Sequence, residues 1–204
     1  MAKQKGIIKL KGTLGDITFY KSQPFSRARG IDASRIASDA NFQRTRENGD
    51  EFGRAGKAGK MLRTALRALL QSTSDNRVVS RLTQAMVKVI QADATSVRGL
   101  RNVIDGEAML LENFEFNIKS KLGSTLFAPF TAVIDRVGGT LAVDIPSFIP
   151  INMVSARGGS THFKITSAGA AVDFENETFE VDIHETAQIA WDSVATAAIN
   201  LPNT

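Results

Sequence analysis

The residues most able to do chemistry in this chain are basic. From Phe42 to Leu70 the sequence reads FQRTRENGDEFGRAGKAGKMLRTALRALL, in which Arg54, Lys57, Lys60, Arg63 and Arg67 recur at helical spacing. With Arg44 and Arg46 they form a series able to track phosphates. Towards the N-terminus, Lys9 and Lys11 precede Phe19 and Tyr20, a set of cations and rings suited to stacking against single-stranded nucleic acid. A phosphate loop is a different matter. It needs G-x-x-x-x-G-K-[ST], because the final hydroxyl binds magnesium and the fixed loop length wraps the phosphates. Here Gly59-Lys60 is followed by Met61, and Arg54 stands where the first glycine belongs. No helix-turn-helix or RNA-binding motif organises the cations either.

Other reactive groups are sparse. The chain has no cysteine, which removes disulfides, thiolate metal sites and thiol nucleophiles. Its two histidines, His162 and His184, fall in strand-like stretches and read as surface residues. Asp182 and Glu185 flank His184, and strand neighbours point to opposite faces, so no zinc set forms. Asp173, Glu175, Glu177, Glu180 and Asp182 form an acidic series without calcium-loop spacing, read as a solvated or partner-facing surface. No nucleophile elbow is present. The expectation is a protein without catalytic residues, cofactor, metal or small-molecule substrate.

The elements that would carry these residues follow from periodicity. Met61, Leu62, Ala65, Leu66, Leu69 and Leu70 make an amphipathic stripe. Gly53, Gly56 and Gly59 precede it at a cost of about 1 kcal/mol each in a helix. Either another backbone approaches there closely, or 49–59 is a loop and the helix begins near Lys60. After the break at STSDN, with Asp75 or Ser74 as cap, a second helix runs to about Ala92. Val79, Leu82, Met86 and Ile90 form its inner stripe, with Arg77, Arg81 and Lys88 outward. A short helix around Val97–Ile104 is expected, interrupted at Gly99 and ended by Asp105-Gly106. Residues 6–21, GIIKLKGTLGDITFYK, alternate as a hairpin. Residues 22–41 read as an extended connector with one helical turn near Ala33–Ala37.

From about residue 114 the pattern turns to strands. IDRVGGTLAVDI, 134–145, is a hairpin with a tight Gly138-Gly139 turn. Residues 162–183 supply three more strands, and a last pair lies near Ile189–Trp191 and Ala195–Leu201. Strands at this spacing suggest an antiparallel β-sandwich. The fold class expected is α+β: an N-terminal β-hairpin arm and connector (1–41), a basic helical region (42–113) and a β-sandwich domain (114–204).

Charge divides along the same line. Residues 1–104 hold 20 lysines and arginines against 8 acids, a net +12, whereas 105–204 hold 5 against 13, a net −8. Such asymmetry points to a polyanion or to the opposite half of another copy. No apolar run nears the ~20 residues of a membrane span, and MAKQKGIIKLKG lacks the apolar core of a signal peptide. Synthesis in the cytoplasm is expected, with incorporation into a larger particle.

The stretches GIIKLKGTLGDITFYK, FQRTRENGDEFGRAGKAGKMLRTALRALL and IQADATSVRG (90–99) resemble a family of uncharacterised bacterial proteins. The resemblance covers most of the chain and carries no function to any residue. It implies that such chains continue beyond the position of Thr204. The function expected from the residues is a non-enzymatic structural protein that self-assembles through its arm into a homo-oligomer, filament or virion-like particle. Nucleic-acid binding by the basic half is the alternative.

Overall fold

The structure, a computed structural model, describes residues 33–71 and 75–204 in full, and 12–14, 17–22 and 25–29 by their backbone. It contains helices and antiparallel strands, an α+β fold. The chain divides into two compact units, one of residues 1–50 with 98–100, the other of 51–97 with 101–204.

In the first unit, β1 (Gly12–Leu14), β2 (Ile17–Ser22) and β3 (Phe25–Arg29) form an antiparallel sheet in that order. The first two lie within or beside the stretch expected as a hairpin, but β1 begins at Gly12, which was expected in the turn, and the strand expected at residues 8–11 lies outside the described residues. The third falls in the expected connector, and its residues continue the ladder from Thr18↔Arg29 to Ser22↔Phe25. Helix α1 (Ala33–Ser38) supplies the expected helical turn. Asp39 then caps a 3-10 turn, its carboxylate accepting from the Asn41 N–H at 2.9 Å. That bond, and next the Arg35 guanidinium, hold the Asp39 carboxyl below its ordinary range.

Helix α2 (Gln43–Ala65) is continuous through the glycine run, which removes the loop reading. The close-approach reading fails as well at Gly53 and Gly56, where an added Cβ meets no neighbour. At Gly59 it meets Leu82 at 3.6 Å, an ordinary contact. The buried face of α2 is made by Glu51, Ala55, Ala58, Gly59 and Ala65 rather than by the expected leucine stripe. Packing therefore sustains a helix that its glycines weaken. At Leu66 (φ −90°, ψ 17°) it breaks, and a single turn, α3 (Arg67–Leu70), follows.

Helix α4 (Val78–Gln91) completes the pair, burying Leu82, Met86, Val89 and Ile90. Val89 takes the place expected for Val79, which is 48% exposed and stands beside Phe52 in a shallow cleft. Arg81 does not point outward. It donates to the Asp75 carboxylate at 2.5 Å and to the Glu115 carbonyl at 2.7 Å, with its guanidinium over the Phe114 ring. Asp75 also accepts from the N–H groups of Arg77 and Ile118, so it ties the chain before α4 to the segment around Ile118; the expected side-chain cap is absent, since Arg77 stands at the N-cap. The Arg77 N–H first, then those of Ile118 and the Arg81 guanidinium, draw its carboxyl down to about 2.

The helix expected around 97–104 is absent. Asp93, 1% exposed, instead organises a loop by accepting from Thr95, Ser96 and Asn102 backbone N–H groups. Those bonds, the Ser96 N–H foremost, hold its carboxyl far below the ordinary range. Loop amides satisfied by a carboxylate have less need of a helix. Gly106 returns the chain against α4, where a Cβ would lie 2.4 Å from the Val89 carbonyl oxygen.

The remainder is β-rich. A single turn, α5 (Leu122–Thr125), leads into β4 (Thr131–Asp135) and β5 (Thr140–Ile145). Their connection is a four-residue turn closed by Asp135↔Thr140, longer than the Gly-Gly turn expected. The turn α6 (Pro150–Met153) begins at Pro150, a residue preset for a helix start. Then come β6 (His162–Phe163), β7 (Thr166–Asp173), β8 (Thr178–Glu185), β9 (Ile189–Ala190) and β10 (Ile199–Asn203). The sheets run β10-β5-β4, β6-β9 and β7-β8. The expected last pair is thus split, β9 joining β6 and β10 joining β5. Ala128, Ile145 and Phe148 centre a small second core, joined by Val143, Phe163 and Ile199.

Candidate functional site

The basic face of α2 contributes to one cleft in the second unit. Arg54, Lys57, Met61 and Thr64 lie three or four residues apart on one side of the helix, with Lys60 beside them. Asn102, Val103 and Ile104 form another wall, and Phe174, Glu177 and Phe179 from the β7–β8 hairpin close the third. The cavity measures about 500 Å³.

Its cations differ in availability. Arg54 Nη1 donates to the Arg101 carbonyl at 2.9 Å, which fixes the guanidinium. Lys57 and Lys60 are exposed and form no ion pair among the described residues. Arg63 and Arg67 lie outside the cleft: Arg63 is half-buried with its Nε enclosed and unbonded, and Arg67 opens α3 in solvent. Phe19 and Tyr20 lie on β2, paired in register with Ala28 and Arg27. Lys9 and Lys11 lie outside the described residues. Three of the nine candidate residues therefore converge.

Arginines expected to track phosphates are engaged elsewhere. Arg46 donates to the carbonyls of Ile36 and Asp39 at 2.7 and 2.9 Å, closing the end of α1. Arg44 lies 3.7 Å from Glu47, and Arg98 lies 3.5 Å from the same carboxylate while bonding Asn48. Arg44, Arg46 and Arg98 thus serve local structure.

His184 is a surface residue, as expected. Its Nδ1 lies 3.5 Å from Asp182, because residues two apart in a strand share a face. The Asp182 carboxyl is lowered first by the Thr204 N–H and also by His184. Among the described residues, no three His, Asp or Glu side chains are grouped to hold a metal, and no helix is long and apolar enough to cross a membrane.

A second surface was not visible in the sequence. All five residues of β4 are exposed, including Val133 at 53% and Ile134 at 65%, and Val137 in the following turn is fully exposed. The β-branched residues of TAVID favour a strand, but nothing in them signals which face lacks cover. No family model matches the chain, and no curated protein and no solved structure matches it.

Proposed function

We propose that this chain is a non-enzymatic structural protein that self-assembles, its N-terminal arm linking copies into a homo-oligomer, filament or virion-like particle. The observation that carries this reading is the exposure of apolar surface. Among the described residues, exposed large apolar side chains outnumber buried ones, and several follow one another in sequence from Phe127 to Val137. Isolated exposed leucines or valines are ordinary, but contiguous apolar surface marks an interface. The opposite charges of the two halves would orient copies as they meet.

The C-terminal strands serve this role as a sandwich. Support comes from the second core, where Ile145, Val143 and Ile199 of one sheet share a cluster with Phe163 of another. The resemblance to uncharacterised bacterial proteins is compatible with this role and adds no residue to it. A second reading, nucleic-acid binding, is favoured by the exposed Lys57 and Lys60 lining the cleft. It predicts an affinity for DNA or RNA that falls steeply with salt.

Light scattering on the full-length protein and on a form lacking residues 1–29 separates the two. The assembly reading expects the shorter protein to remain folded by circular dichroism but to show a smaller particle mass. Equal masses at equal concentration would remove the arm from assembly and favour the polyanion reading.

A further inference from the structure

We infer that β4 is a self-pairing edge, joining two copies of this chain antiparallel about a two-fold axis at Val133. The inference rests on the assembly reading above and identifies a contact that does not involve the arm.

A bare strand edge presents unpaired N–H and C=O groups, and folded proteins guard such edges with charges, prolines or bulges. The β8 strand follows that rule, carrying Glu180, Asp182, His184 and Glu185. β4 does not. Among the described residues it pairs only with β5, and its sequence TAVID has no lysine, proline or internal charge, only Asp135 at its last position. Both of its faces are open, with Val133 on one and Ile134 on the other. An unguarded, two-sided apolar edge needs a strand to cover it.

The sequence around β4 is complementary to itself. A two-fold axis perpendicular to the sheet pairs residues of the same parity, because each must keep its face. With Val133 on the axis, Ala132 meets Ile134, a small side chain beside a large one. Thr131 meets Asp135, so a hydroxyl can donate to a carboxylate whose Oδ1 already accepts from Val137 and Gly138 in its own turn. Just past the ladder, Phe130 comes opposite Arg136, a ring beside a cation. No like charges face each other in this register. The apolar and polar pairings belong to the kinds that stabilise cross-strand contacts.

The axis position supplies a specific test, since Val133 faces its own copy. Its exposed side chain can be exchanged without disturbing either core. Val133→Lys and Val133→Glu are each expected to lower the particle mass by a factor of two relative to the parent, because like charges then meet on the axis. Mixing the two variants in equal amounts restores the parent mass, because lysine then meets glutamate. Circular dichroism checks that both variants are folded. If either variant keeps the parent mass, or if the mixture stays small, β4 does not pair with itself. If both variants keep the parent mass while loss of residues 1–29 lowers it, only the β4 contact is wrong. A parent that is monomeric at all concentrations would overturn the assembly reading too.

Discussion

The β4–β5 and β7–β8 hairpins close in the same way. Asp135 accepts from the N–H groups of Val137 and Gly138, and Asp173 accepts from those of Glu175 and Asn176. Each turn ends in the left-handed region, at Gly139 (φ 66°) and Glu177 (φ 54°), and each ladder resumes at a threonine, Thr140 or Thr178. Beyond the turn the two differ. The residue after the aspartate is Arg136 in one and Phe174 in the other. Phe174 packs onto the core formed by α2 and α4, whereas Val137 at the β4–β5 tip is fully exposed. Local chemistry thus sets the turn, and Phe174 adds to the contacts by which β7–β8 docks, beside the bond from Asn203 Nδ2 to Ser167 Oγ.

The largest expected effect tests that ring. Phe174→Ala should destabilise the protein by about 2 kcal/mol, below the range for a fully buried phenylalanine because Phe174 is half-buried. Arg136→Ala at the matching position should stay within about 0.5 kcal/mol of the parent. Urea denaturation measures both, and equal losses would mean that docking does not depend on the ring.

A smaller effect is expected at the left-handed position, where a side chain costs about 1 kcal/mol relative to glycine. Glu177→Gly should raise stability by about that amount and Gly139→Glu should lower it by a similar amount. Thermal melts compare the pair. If Glu177→Gly instead destabilises, the glutamate makes a contact at the cleft that outweighs its backbone strain.

The smallest effect is in acid. The side-chain amide of Asn176, then its backbone N–H, hold the Asp173 carboxyl below its ordinary value. A carboxyl lowered in the folded state stabilises above its unfolded pKa, near pH 4, and that contribution is lost as pH falls through the lower folded value. Asp173→Asn should therefore flatten the decline of the melting temperature below about pH 4, relative to the parent. An unchanged decline would show that the turn bonds do not distinguish the charged carboxylate from the amide.

Much of the element order is legible in the residues. The α4 helix follows from its stripe of Leu82, Met86 and Ile90, and the strands after residue 130 follow from alternation and turn residues. The Asp-x-x-x-x-Thr turns are local hydrogen-bond devices, although at 135–140 the Gly138-Gly139 pair suggested a shorter turn than the one that forms. Sequence misleads where tertiary contacts compete. The FSRAR segment looked like a connector and became β3 because β2 offered a ladder. The glycine run looked like a loop or a close-packing face and became a helix because Ala55, Ala58 and Gly59 pack on α4. Among the candidate cations, charge was visible but availability was not. Arg46 and Arg54 are engaged by carbonyls ten and forty-seven residues away, distances at which periodicity carries no information. The exposure of β4 belongs to the same class. The β-branched Thr131, Val133 and Ile134 favour a strand, but which face is covered depends on the strands and cores that come from elsewhere in the chain, and among the described residues only β5 pairs with it.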